Sequence, residues 1–275
     1  MNYKLIATDL DGTLFSKMMD ASEENLNAIA RLSDLGVYVV PATGRALGEI
    51  PDSIKKNPNI RYIISSNGAV IHDTKTEKCE KLCMKKELSQ EIFSILFSYE
   101  TESLVHYNEE SYVDADKYSE ENYIYHNLNE IYRKLIFATN IPASDFKNFC
   151  YSMDAVEMIC TSFHSTAERE ECMERLSKIK DVLLVSTTPY NMEVFNSKTS
   201  KGTALNRLCE MIGIDVSETI GMGDSGNDIP LLSASGLSLA VDNAAQHLKD
   251  VADCVICSNE QHAMKYVLDN FIEVK

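Results

Sequence analysis

Four carboxylates in two short runs are the first groups that could do chemistry. Asp9 and Asp11 lie in DLDGT, directly after the apolar run LIAT, and Asp224 and Asp228 lie in GMGDSGND, after the apolar residues around Ile220. Two positions apart in extended chain, the side chains of Asp9 and Asp11 project the same way, and Gly12 lets the chain turn sharply away. Carboxylates held that close repel each other unless a cation lies between them or one takes a proton. An isolated D-x-D pair is most often only an acidic turn. If the two apolar runs are neighbouring strands, however, three or four carboxylates converge at the carboxyl edge of a sheet, where open parallel sheets place their ligands. That many hard oxygen donors suit Mg2+ better than zinc, which takes His or Cys. Asp228 would also serve as an ordinary residue of a loop capping the next helix, a reading that explains Asp224 poorly.

Two further motifs complement the acids. Thr43-Gly44-Arg45 ends another apolar run and offers a hydroxyl and backbone N–H groups that can hold phosphate oxygens without net charge. Lys201, which starts a helix after SKTS and is followed by Gly202, supplies a positive charge. The chain needs one, because its 275 residues carry a formal charge of −16. So acidic a surface repels nucleic-acid phosphates, and no nucleic-acid partner is expected. It repels phosphorylated metabolites too, so a site for them must reverse the sign locally with a metal ion, a lysine or a helix N-terminus.

The elements that must position these residues follow from periodicity. KLIATD reads as a strand, Ser22 caps the amphipathic helix SEENLNAIARLSDL, Gly36 ends it, VYVVPA is a second strand, a helix is expected after Gly44, and RYIISS is a third strand. Continuous apolar strands alternating with helices imply a parallel sheet covered on both faces. Near residue 83 the pattern changes to a helix (KELSQEIFSILFSYE) and then a hairpin, SLVHY and SYVDA. From Lys201 the strand-helix rhythm returns through ETIGMGD, NDIPLLSAS, LSLAV, NAAQHLKDV and DCVICS to a last helix. The expected fold is therefore α/β: a Rossmann-like doubly wound parallel core made of residues 1–82 and 191–275, with an α/β cap domain, 83–190, inserted.

The order DLDGT, TGR, KG, GDSGND, with SSNGAVIHD after the third strand, resembles the haloacid dehalogenase superfamily, specifically its Cof-type phosphatases with a large C2 cap between the second and third motifs. The resemblance covers the whole chain. It implies a cytoplasmic, Mg2+-dependent phosphatase that hydrolyses small phosphorylated metabolites, sugar or cofactor phosphates, through a phospho-aspartate. Asp9 would be nucleophile and metal ligand; Asp11 would be the general acid/base and a ligand through its backbone carbonyl. Asp224 would complete the metal ligands and Asp228 would steady them, while the Leu10 backbone N–H, Thr43, Gly44, Lys201 and Asn227 would bind phosphate. Arg45, Asn67 and Gly68 would line the substrate entrance beneath the cap. A phosphosugar mutase or phosphotransferase would use the same aspartyl phosphate, and a silent binding or regulatory protein would be favoured only if a motif residue were missing. The chain departs from the family at Asn196 and Lys198, where Pro and Gly are common before the lysine, and at His262-Ala263, where Asp-Gly is frequent.

The remaining chemistry-bearing residues read as structural. Eight cysteines lack the framework of a small secreted domain. Cys254 and Cys257 form a C-x-x-C pair, but VADCVICS reads as a short buried strand with no helix start to lower a thiol pKa. The six histidines form no metal-binding set, and cap tyrosines such as Tyr107, Tyr112, Tyr123 and Tyr125 suit a core better than a substrate contact. No run approaches the roughly 18 apolar residues of a membrane span, so no membrane association is expected.

Overall fold

The computed structural model describes residues 3–16, 20–186 and 188–272. β1 (Leu5–Thr8) is wholly buried. The helix Glu23–Asp34 follows, started by Ser22, whose hydroxyl accepts from the Asn25 N–H. It buries Asn25, Ala28, Ile29 and Leu32, the three-and-four spacing of a single helical face. β2 (Tyr38–Pro41) pairs parallel with β1. The helix expected after Gly44 is reduced to a 3-10 turn, Leu47–Glu49, and a four-residue helix, Asp52–Lys55. Pro51 between them has no N–H to donate and disfavours helical geometry in the residue before it. β3 (Tyr62–Ser65) touches the β2 strand line through one parallel bridge, Ala42 to Ile64, and then pairs antiparallel with β4 (Val70–Asp73), which leads to β5 (Lys78–Lys81).

After β6 (Met84–Lys85) and the helix Lys86–Leu96, the expected hairpin forms from β7 (Thr101–Tyr107) and β8 (Glu110–Asp114), with Asn108 and Glu109 turning at positive φ. β9 (Ile141–Ala143), β10 (Ala155–Phe163), β11 (Val182–Val185) and β12 (Asn191–Asn196) complete a sheet ordered β11-β12-β10-β7-β8-β9, with β6 against β10. One face of this sheet, through Val105, Ile159 and Val194, packs on Ile92, Phe93, Phe146 and Cys172. The expected parallel sheet is closed by β13 (Thr219–Gly223), β14 (Leu237–Ala240) and β15 (Cys254–Val255), in the order β15-β14-β13-β1-β2.

The chain divides into two compact units, 1–44, 50–80 and 200–275 on one side and 45–49 and 81–199 on the other. The limits differ from those expected. β12 is not the return of the core, because it pairs antiparallel with β10 and β11 and so carries the second unit through Thr199. Arg45–Glu49 also belongs with the second unit, where the Gly48 N–H donates to the Glu109 carbonyl. The turn into Lys201 needs neither Pro nor Gly, since Asn196 accepts from the Lys198 N–H through its side chain and from the Thr199 N–H through its carbonyl. The DCVICS strand is shorter and less buried than expected: β15 is an edge strand of two residues, Cys254 half-buried and Val255 exposed. Among the described residues, no helix is long and apolar enough to cross a membrane.

Candidate active site

The parallel sheet places the two acidic motifs side by side. β1 and β13 are paired in register, Thr8 opposite Met222, and the Asp9 N–H extends the ladder to the Met222 carbonyl. The chain leaves β1 at Gly12 with φ 82, and a Cβ there would lie 2.5 Å from Asp224 Oδ2. Glycine is therefore needed twice over, for the left-handed turn and for the room that lets the second motif approach. Asp9, Asp224 and Asp228 each bring an oxygen within 4.8 Å of the other two. Asp11 stands exposed on the same turn.

Lys201 reaches the cluster from the first turn of the helix Lys201–Ile212, which Ser200 and Thr203 start with reciprocal capping hydrogen bonds. Its Nζ donates to Asp9 Oδ1 at 2.7 Å and to Asp228 Oδ1 at 2.6 Å, and the lysine is almost wholly buried. The two carboxylates hold the ammonium well above its ordinary pKa, against the opposing effect of burial. The other oxygen of Asp228 accepts from the Asp224 and Ser225 N–H groups, which fixes the loop that presents Asp224. Burial pushes Asp9 well above the usual carboxylate range; Lys201 pulls it down, while Asp228, Asp224 and Asp11 push it up. Burial and then the charge of Asp228 raise Asp224 to about 6.

One lysine among the buried Asp9 and Asp228 and the half-buried Asp224 leaves more carboxylates than cations and all-oxygen donors, the chemistry a hard divalent cation satisfies. Asp9 and Asp224 are the side chains suited to hold it, because Asp228 already spends its oxygens on Lys201 and two backbone N–H groups.

Thr43 is buried, its N–H donating to the Ile64 carbonyl and its carbonyl accepting from the Asn67 N–H. Gly44 sits against the Asn67 side chain, whose Oδ1 accepts from Asn227 Nδ2 at 3.1 Å. Leu10 is buried in the turn, its carbonyl accepting from the Thr13 and Phe15 N–H groups. The first unit thus holds Asp9, Leu10, Asp11, Thr43, Gly44, Asn67, Gly68, Lys201, Asn227, Asp224 and Asp228. Arg45 belongs to the second unit, where it is buried and its guanidinium donates to the Glu49 carbonyl.

Three asparagines escaped the sequence reading. Asn243 Nδ2 donates to the Gly12 carbonyl and its Oδ1 accepts from the Asn259 N–H; Asn259 Nδ2 in turn donates to the Phe15 carbonyl, and Asn25 Nδ2 to the Leu14 carbonyl. They brace the DLDGT turn from three distant segments, and only their polarity beside apolar runs hinted at it. Among the other residues considered, Tyr107 packs on Phe149 and donates to Asp154, Tyr112 packs on Phe149, Tyr123 is fully buried, and Tyr125 stacks on His164. Cys254 and Cys257 are both free thiols.

A model of the haloacid dehalogenase-like hydrolases matches residues 6–268. The chain belongs to that family and is a phosphoric monoester hydrolase. It is 30% identical to "Phosphatase YwpJ" of Bacillus subtilis, an alignment covering 98% of this chain and 100% of that one. It is 26% identical to the "5-amino-6-(5-phospho-D-ribitylamino)uracil phosphatase YcsE" of the same organism, over 99% and 97%. A solved haloacid dehalogenase-like hydrolase from B. subtilis superposes with a TM-score of 0.81 at 28% identity, covering 98% of this chain and all of the other.

Proposed function

We propose that the chain hydrolyses small phosphate monoesters through a covalent phosphate on Asp9, with Mg2+ held by Asp9, Asp224 and the Asp11 backbone carbonyl. The observation that carries this reading is the buried Lys201 ammonium shared by Asp9 and Asp228 with Asp224 alongside. Its positive charge opposes the protonation of Asp9 that burial favours, and a carboxylate must be ionised to attack. An Asp9 oxygen attacks phosphorus, the bond from phosphorus to the ester oxygen breaks, and Asp11 gives its proton to the departing alkoxide. Asp11 then takes a proton from water, the water oxygen attacks phosphorus, and the Asp9 carboxylate is released with phosphate. The Leu10 N–H, Thr43, Gly44, Asn227 and Lys201 hold the phosphoryl oxygens through both transfers. Bound Mg2+ would supply further neutralisation of the charge on those oxygens.

The small-metabolite class is shared with relatives named for a ribitylamino-uracil phosphate, so a phosphorylated polyol carrying a heterocycle belongs in the first substrate screen beside sugar and cofactor phosphates. Acid quenching during turnover, followed by peptide mass spectrometry, should find the phosphoryl group on Asp9. Quenched enzyme that turns over substrate and carries no phosphate on that peptide, in Asp11→Asn as well as in the parent, would sink the mechanism.

A further inference from the structure

The turn Ser66–Asn67–Gly68 touches three of the four motif segments in the first unit. The Asn67 N–H donates to the Thr43 carbonyl at 2.9 Å, and its side chain lies where a Cβ on Gly44 would come within 3.3 Å of Oδ1. Asn67 Oδ1 accepts from Asn227 Nδ2 at 3.1 Å, which ties the GDSGND loop to the same point. Gly68, at φ 102, presses its α-carbon on the start of the lysine helix so closely that a Cβ would collide with the Ser200 carbonyl and sit 3.1 Å from the Lys201 N–H nitrogen. The backbone adopts an uncommon conformation to make these contacts: Ser66 and Asn67 both have positive φ, 48 and 53, in a fully buried turn. Consecutive left-handed residues other than glycine are disfavoured and persist where the surroundings over-determine them, chiefly at functional sites. Asparagine tolerates that conformation better than most residues, and it also brings the amide.

We propose that Asn67 is a positioning residue, not an entrance residue: it registers the Thr43-Gly44 turn and Asn227 against each other, beside Gly68 on the Lys201 helix start, so that their donors converge on one phosphate. This rests on the proposed roles of Thr43, Gly44, Asn227 and Lys201 as phosphate ligands. Asn67 itself acts through the side chain of Asn227 and the backbone of Thr43. The left-handed backbone is kept by glycine, so Asn67→Gly removes the amide and leaves the turn.

The test is a double-mutant cycle of N67G and N227A in the full-length protein, read by kcat/KM on p-nitrophenyl phosphate, by the Kd of inorganic phosphate in calorimetry and by thermal midpoint. N67G should fold with its midpoint near that of the parent, lose about 10- to 100-fold in kcat/KM, and bind phosphate correspondingly more weakly, the range typical of outer groups that orient a ligand-binding group. In the N227A background the same change should cost less than about twofold, because the residue through which it acts is gone. N67G with parental kcat/KM and phosphate affinity overturns the proposal, and so do effects that multiply in the double variant. Should N67G not fold, Asn67→Ser, whose side chain is too short to reach Asn227, runs the same cycle. Phosphate binding needs no turnover, so the Kd arm still reports on Asn67 if the phospho-aspartate mechanism itself fails.

Discussion

Lys201 is the residue on which the site's electrostatics turn. A fully buried ammonium between Asp9 and Asp228 exchanges a heavy desolvation cost for two short charge-assisted hydrogen bonds. Removing one partner of such a set strands the others as uncompensated buried charges. Lys201→Met should therefore destabilise the metal-free protein by about 3 kcal/mol and abolish turnover. The double variant K201M/D228N should regain most of that stability, having removed one stranded carboxylate, and should remain inactive. Denaturant unfolding in chelator, set beside a phosphate-release assay, checks both; a double variant no more stable than K201M alone would refute the account. Asp9→Asn keeps the shape and loses the carboxylate proposed to attack phosphorus, so kcat should fall by about a thousandfold or more while the fold survives, as measured on protein freshly purified to exclude deamidation.

At the scale of elements, β7 carries a buried acid with no place in the chemistry. Glu102 is 4% exposed; its Oε2 accepts from Asn122 Nδ2, and its Oε1 has no hydrogen-bond partner among the described residues. Burial pushes its pKa from 4.5 to about 8. Because the folded value is the higher, the stability this group contributes is complete below about pH 4.5 and is lost as pH rises toward about 8. Glu102→Gln keeps an oxygen for Asn122 and removes the ionisation. The thermal midpoints of parent and E102Q should thus run parallel near pH 5 and separate above pH 6, with E102Q the more stable by roughly 2 to 5 kcal/mol at pH 9. His106, which burial lowers to about 4, titrates in both proteins and cancels from the comparison. A parent that gains on E102Q as pH rises would show the sign to be wrong.

For the whole molecule the governing quantity is the charge of −16, which makes a local cation indispensable to any phosphate site. Chelation should silence the enzyme and Mg2+ should restore it. Ca2+ should bind and inhibit, since it takes more ligands at longer bonds and would disturb the alignment of Asp9 with phosphorus. Phosphate release measured across EDTA, Mg2+ and Ca2+ series decides this, and full activity in chelator would defeat the carboxylate-site reading.

Asp9, Asp11, Thr43, Lys201, Asp224 and Asp228 were legible in the sequence because each lies at a strand end or helix start whose local signals are strong: apolar runs, a Ser cap, a glycine turn. Their alternation with helices also determined the parallel core. What no local signal could decide was which distant segments meet. Lys201 joins Asp9 across 192 positions, and Asn227 joins Asn67 across 160. β12 (NMEVFN) carries no continuous apolar run to mark its sheet, and its membership of the second sheet rests only on its ladders with β10 and β11. Asn25, Asn243 and Asn259 brace the DLDGT turn by reaching backbone carbonyls of a remote loop. Periodicity and capping act over a few residues and so can be read along the chain, whereas strand partners and side-chain braces are selected by packing in three dimensions.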